Sequence, residues 1–252
     1  MQTTQAVPVP DECYKRGRVG KLSELITERS IMHILFNGDS NMNGEELENK
    51  DFSMAGVITK FYNATATSLA VSGASNDLIY DSTWQYLQTN PAPDLVVIGW
   101  SEHGREQWYF ENEFHEINHL GVGKRIPEEF RQRYQFWKNH KARDPDWHKV
   151  MGLYWHNKIY NLHMWLYERN IPHLFFNAFH CFHIPNQKEQ LNWHWNFFMP
   201  YYENRCYVNW CVEHGYEEIT PGWRHYNEDA HAAWANTMIE YMQTHAIYDT
   251  IR

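Results

Sequence analysis

The sequence predicts a three-layer α/β/α sandwich built on a parallel, flavodoxin-like sheet. Four short apolar runs, at residues 31–36, 66–71, 94–98 and 173–177, lack the apolar–polar alternation of a half-exposed strand. Segments with helical spacing separate these runs, which is the pattern of parallel strands joined by crossover helices. The carboxyl ends of such strands lie along one edge of the sheet, and ligands bind at that edge.

The predicted helices lie at approximately 45–62, 78–87, 127–137, 146–169 and 227–243. Pro127 stands where proline favours the first turn of a helix. Asn227 is placed to cap the last helix, and the acidic Glu228 and Asp229 follow it in the first turn, where the helix dipole favours negative charge.

A single domain is expected over residues 22–252, preceded by an N-terminal arm over residues 1–21 that is rich in turn-forming residues. An aromatic-rich, irregular insertion is expected at about 180–215. The first residues have neither the positive charge nor the apolar stretch of a secretory signal peptide, so we expect no export by that route.

Charge and composition exclude several classes of function. The chain has 22 basic and 31 acidic side chains and a net charge of −9, which is unsuited to general nucleic-acid binding. The apolar run at 95–100 is too short to cross a membrane. The four cysteines show no CxxC spacing and are expected to be free thiols in a reducing compartment. No metal or organic cofactor is implied.

A possible nucleophile follows the first predicted strand, within the sequence Gly38-Asp39-Ser40. A serine in a glycine-containing turn before a helix can present both a hydroxyl nucleophile and a backbone N–H that stabilises an oxyanion. Gly73, in the turn after the second strand, can supply a second N–H without a blocking side chain. His225, in the loop before the last helix, is the candidate base.

These residues resemble the conserved blocks of the SGNH (GDSL-type) hydrolase superfamily. Gly38 to Gly44 resembles the first block, GDSxxxG, and Ser40 matches its nucleophile. Ser72 to Asn76 resembles the second block, in which the glycine N–H helps to bind the oxyanion. His225-Tyr226-Asn227 resembles the block that carries the catalytic histidine. The sequences GASND and GWSE, after the second and third strands, are similar to members encoded by tailed bacteriophages.

Two departures from the family pattern affect the site. The third block normally reads GxND, but this chain has Gly99-Trp100-Ser101-Glu102, so either Ser101 or Asn76 is expected to replace the asparagine donor. The histidine block normally reads DxxH, but Gly222 occupies the position of the aspartate. The group that orients His225 could instead be Glu217, Glu218 or Asp229, or a backbone carbonyl. Two further alternatives are a site that works as a Ser–His dyad and a site that has lost its activity and only binds.

The resemblance implies an esterase that acts on a small-molecule or glycan ester, including O-acetyl groups on carbohydrates. Asn76, Trp100 and Arg105 are the predicted substrate-binding residues, with Arg105 suited either to a substrate carboxylate or phosphate or to a surface ion pair. Two aromatic groups are predicted to form a wall of the site or to pack under a loop, namely Trp100, Trp108, Tyr109 and Phe110, and Trp193, Trp195, Phe197 and Phe198.

The similarity to phage-encoded members implies a protein of the host-cell cytoplasm or the virion. Further copies of this chain or other virion proteins are then the expected partners. A non-catalytic virion or glycan-binding protein that keeps the fold is the first alternative function.

A second alternative is a zinc hydrolase. His115-Glu116-Ile117-Asn118-His119 matches HExxH, which on a helix places two zinc ligands and a glutamate base on one face. The glycines at 121 and 123 argue against a helix, and this segment is expected to be an exposed loop.

Overall fold

A parallel sheet forms the centre of the computed structural model, which describes residues 31–118, 126–179, 195–198 and 206–248. The strands are β1 (His33–Asn37), β2 (Thr65–Ser68), β3 (Leu95–Trp100), β4 (Glu106–Phe110), β5 (Glu113–Ile117) and β6 (His173–Asn177). The helices are α1 (Ser40–Asn43), α2 (Met54–Phe61), α3 (Asn76–Thr89), α4 (Glu128–Asn139), α5 (Pro145–Glu168), α6 (Tyr207–Glu213) and α7 (Glu228–Thr244).

The strand order confirms the predicted α/β class with a parallel central sheet. The four strands of this sheet run in the order β2-β1-β3-β6, and all three neighbouring pairs are parallel. This order corresponds to the 2-1-3-4 arrangement of flavodoxin-like sheets. The predicted arm at 1–21 and most of the predicted insertion at 180–215 lie outside the described residues.

Helices cover both faces of the sheet because alternate strand residues point to opposite sides. On one face, Ile34 and Phe36 of β1 belong to a core that includes residues of α2, α6 and α7. On the other face, Leu35 of β1 belongs to a core that includes residues of α3 and α5. β1, β3 and β6 are therefore almost fully buried, whereas β2, at the edge of the sheet, is largely exposed.

The helix expected within 45–62 is α2, which begins only at Met54. The chain before it forms the short α1 and then a 3-10 turn at Lys50–Phe52. Ser53 begins α2 because its hydroxyl accepts a hydrogen bond from the Gly56 N–H at 3.2 Å. The second strand is also shorter than predicted, since it ends at Ser68. Pro127 is the N-cap of α4 rather than a residue of its first turn.

The HExxH segment, described up to residue 118, is not the exposed loop that the sequence predicted. β4 and β5 form an antiparallel hairpin in which Trp108 pairs with His115. The hairpin packs against α4 in a small core of its own that includes Trp108, Phe110, Tyr134 and Trp137.

No helix in the described part of the chain is long and apolar enough to cross a bilayer. Cys206 and Cys211 are buried free thiols. Burial raises the pKa of the Cys206 thiol to about 11 and that of Cys211 to about 12, so neither is a reactive thiolate at neutral pH.

His231, in α7, makes stability depend on pH. The side chain is buried, and its Nδ1 accepts a hydrogen bond from the Met54 N–H at 3.3 Å. Burial, followed by the nearby His225 and Lys50, lowers its pKa to about 3 from the ordinary 6.5. Between these values the unfolded chain binds a proton that the folded chain does not. The contribution of neutral His231 to folding stability is therefore complete above about pH 6.5 and is lost as the pH falls towards 3.

We predict that His231→Asn reduces this pH dependence. The asparagine carbonyl can accept the Met54 N–H but does not titrate. The free energy of unfolding, measured by urea denaturation between pH 6 and 4.5, should fall less steeply in the variant, by about 1.4 kcal/mol per pH unit. If the free energy of unfolding has the same pH slope in both proteins, folded His231 binds the proton as readily as the unfolded chain does, which would contradict the prediction.

Candidate active site

The turn between β1 and α1 presents Ser40 at the carboxyl edge of the sheet. A Cβ on Gly38 would lie 2.7 Å from the Met42 Cβ and 2.9 Å from the Gly99 carbonyl oxygen, so only glycine allows the turn to pack against β3. Asp39 then caps α1 by accepting the Asn41 N–H at 3.0 Å. Ser40 is the first residue of this helix, where N–H groups have no acceptor within the helix. Ser40 is 4% exposed, so only a small part of it is accessible to solvent.

The turn that contains Gly73 is bound directly to the Ser40 segment. The Ser72 hydroxyl donates to the Glu45 carboxylate, and the Asn43 amide donates to the Ser72 hydroxyl at 3.1 Å. Gly73 has φ +82°, and an added Cβ would meet nothing within 4 Å. Its backbone conformation, rather than limited space, is what favours glycine here.

Asn76 and Ser101 bind each other. The Ser101 N–H donates to the Asn76 side-chain oxygen at 2.8 Å, and the Asn76 amide donates to the Ser101 carbonyl at 3.0 Å. Both residues are fully buried. The Ser101 hydroxyl makes no hydrogen bond of standard geometry to any described residue, but it lies close enough to Asp39 to lower the pKa of that carboxyl. The Asn76 amide is thus bound to the turn after β3.

Arg105 is buried against Asp39, which differs from both roles predicted for it. Its Nη1 lies 3.5 Å from the Asp39 carboxylate and donates to the Ala74 carbonyl at 3.2 Å. Its Nε lies 3.4 Å from Glu102, and its guanidinium lies 4.7 Å from the centre of the Phe179 ring. Burial raises the pKa of Asp39, and Arg105 is the largest influence that opposes the rise. The guanidinium is therefore occupied within the protein.

Trp100, the third residue predicted to bind substrate, lies in the core. Its ring is fully buried and meets the Phe175 ring edge to face, with centroids 5.5 Å apart. Trp108 and Phe110 are buried in the hairpin core, whereas Tyr109 is exposed beside Phe114. The first aromatic group therefore mainly fills cores.

His225 contacts a carboxylate that sequence reasoning missed. Its Nδ1 lies 3.0 Å from Oε2 of Glu46, which follows Ser40 by six residues in the chain. The backbone holds the histidine, because the Ile219 N–H donates to the His225 carbonyl at 2.8 Å and Asn227 caps α7 as predicted. This contact joins the loop of the candidate base to the segment of the candidate nucleophile.

None of the three predicted acids is the partner of His225. Glu217 and Asp229 are exposed, and the Glu218 carboxylate accepts the Gly222 N–H. Gly222 itself has φ +85°, a conformation that suits glycine. Glu46 could not be found from sequence spacing, because 179 positions separate it from His225.

The described part of the HExxH segment, up to residue 118, does not form the helix that the zinc hypothesis requires. His115 and Glu116 lie in β5, and His119 lies outside the described residues. The His115 ring is stacked on Phe110 with centroids 3.6 Å apart, and the Glu116 carboxylate accepts the Ser75 N–H. In the described part of the chain, no three His, Cys, Asp or Glu side chains form a group that could hold a metal ion.

Comparison with known family models and curated proteins finds no match. One similar solved structure is a member of the lipolytic G-D-S-L family from Veillonella parvula, with 13% identity, 83% of this chain and 97% of that chain covered, and a TM-score of 0.38. Another is a carbohydrate esterase whose active site is described as having divergent catalytic and non-catalytic binding functions. It has 13% identity, 84% and 65% coverage, and a TM-score of 0.40. At these values neither similarity assigns a family or an activity to the chain.

We predict that Arg105→Met destabilises the fold by about 3–5 kcal/mol, because it leaves the buried Asp39 carboxylate without its partner. Adding Asp39→Asn should recover part of the loss. Arg131→Met is the matched control, since the ion pair of Arg131 with Glu128 is exposed and should contribute less than about 1 kcal/mol. Urea denaturation of the four proteins measures the effects. A loss below about 1 kcal/mol for Arg105→Met would contradict the importance of this pair.

Proposed function

We propose that this chain is a serine esterase of the SGNH type, with Ser40 as nucleophile and His225 as base. The contact between Glu46 and His225 is the observation that carries the proposal, because it brings the base to the segment headed by the nucleophile. The GDS turn and the bound Gly73 turn, both at the carboxyl edge of the sheet, also support it.

The proposed reaction proceeds through an acyl-enzyme. His225 Nε2 takes the proton of the Ser40 hydroxyl as Oγ attacks the ester carbonyl carbon, and the carbonyl electron pair moves to oxygen. Collapse of this intermediate breaks the bond to the leaving alcohol, which receives the proton from His225. Water then attacks the acyl group with the same base, releasing the acid and restoring Ser40.

The backbone N–H groups of Ser40 and Gly73 are the proposed oxyanion donors. Both stand in turns whose conformation is fixed before substrate binds, so they need no rearrangement when charge develops on oxygen. Ser101, the predicted third donor, is left out of this proposal because its N–H is bound to Asn76 and its hydroxyl lies towards Asp39.

An acyl group on a carbohydrate is the proposed substrate class. Trp223 is 65% exposed, and its ring centroid lies 6.3 Å from that of His225. An exposed indole beside the base offers the flat apolar face on which a sugar ring can pack. The expected association with virion proteins or with further copies of this chain remains a prediction.

We predict that a fluorophosphonate probe labels the wild type at Ser40. Ser40→Ala should abolish labelling, because the attacking oxygen is missing. His225→Ala should slow it by about 10³-fold or more, because no base accepts the proton. Intact-mass spectrometry with peptide mapping measures both the extent and the position of labelling.

Two controls separate the alternatives. His115→Ala should label at the wild-type rate, and a chelator should have no effect, since the zinc hypothesis alone requires that histidine. A folded wild type that does not label and hydrolyses no acetylated glycan would overturn the proposal. Glycan binding that survives Ser40→Ala in such a protein would favour the binding-only alternative.

A further inference from the structure

We propose that Glu46 is the positioning acid of His225, supplied from the nucleophile's own segment rather than from the usual place three residues before the histidine. The inference rests on the proposed function and specifies how its base is held. The proposed serine mechanism needs a histidine with a defined tautomer and orientation, and the position of the usual aspartate is Gly222.

The geometry fits the role of a positioning acid. Glu46 Oε2 lies 3.0 Å from His225 Nδ1, within hydrogen-bond distance. A carboxylate accepts but does not donate, so the proton of the neutral ring must be on Nδ1. The Nε2 lone pair is then available to take the proton from Ser40. The side chains are 10% exposed for His225 and 21% for Glu46, so water screens the pair only in part.

The backbone of Glu46 is held in a conformation that glutamate seldom adopts. Its φ is +66°, in the left-handed region, where a residue other than glycine costs about 1 kcal/mol or more. Neighbouring bonds fix the turn, since the Glu45 N–H donates to the Ser40 carbonyl at 2.9 Å and the Leu47 N–H to the Gly44 carbonyl at 3.1 Å. The Lys50 ammonium also donates to the Gly44 carbonyl, at 2.7 Å.

All proton transfers of the proposed reaction balance without a covalent role for Glu46. The Ser40 proton moves to His225 Nε2 and then to the leaving alcohol, while the Nδ1 proton stays between His225 and Glu46. The carboxylate takes up no proton in the reaction and stabilises the imidazolium that forms between these two steps.

The test compares Glu46→Gln, Glu46→Asp and Glu48→Gln by the pH dependence of fluorophosphonate labelling. Glu48→Gln is the matched control, since it removes the same charge from an exposed position two residues away. Glu46→Gln should slow labelling roughly 10- to 1,000-fold and change its pH profile, because the imidazolium that forms during the reaction loses its counter-charge. Glu46→Asp, which keeps the charge, should retain the wild-type profile.

A second readout does not require activity. Proton NMR of the whole chain should show a downfield resonance from the His225 Nδ1–H, which should be missing in His225→Gln and should move upfield in Glu46→Gln, because a neutral amide is a weaker acceptor than a carboxylate. If the wild type does not label but the resonance behaves in this way, the proposed esterase fails while the pairing of Glu46 with His225 holds. Labelling within twofold of wild type and an unchanged profile in Glu46→Gln would overturn the positioning role.

Discussion

The buried ion pair of Asp39 and Arg105 holds together the three turns from which the candidate site is built. Asp39 belongs to the turn after β1, and Arg105 to the segment after β3. The same guanidinium binds the Ala74 carbonyl in the turn after β2. Parallel strands bring these turns to one edge, and the Val71 N–H still donates to the Gly38 carbonyl beyond the ends of β1 and β2. The ion pair adds a buried link between the turns after β1 and β3.

A buried ion pair of this kind fixes the positions of the turns it joins more than it stabilises the fold. Removing two charges from water costs several kcal/mol per ion, and their mutual attraction often does no more than offset this. The raised pKa of Asp39 records that cost, since burial outweighs the opposing effect of Arg105. The pair nevertheless favours one arrangement of the turns, because the buried Asp39 carboxylate is stabilised only where Arg105 and the Asn41 N–H both reach it.

The fold was predictable where local patterns determine it. The buried strands β3 and β6 are apolar runs of the right length, and Asn227 marks the start of α7 because helix capping is a local interaction. The hairpin was missed because the glycines at 121 and 123 favoured an exposed loop, whereas the strand pairing of His115 and Glu116 depends on partners in β4. The burial of Arg105 was missed because arginine is usually exposed, and only the folded chain brings Asp39 to it.

The candidate site shows the same division between local and distant interactions. Ser40 and His225 stand out because each belongs to a short sequence with a recognisable turn or cap. Glu46 has no such sequence around it, and only the folded chain brings it to His225, from which 179 positions separate it. In the proposed site the acid shares a turn with Ser40, so local bonds fix its position relative to Ser40, and the loop before α7 needs to place only His225. That loop can then carry glycine at 222 and keep a conformation that an aspartate would adopt less readily.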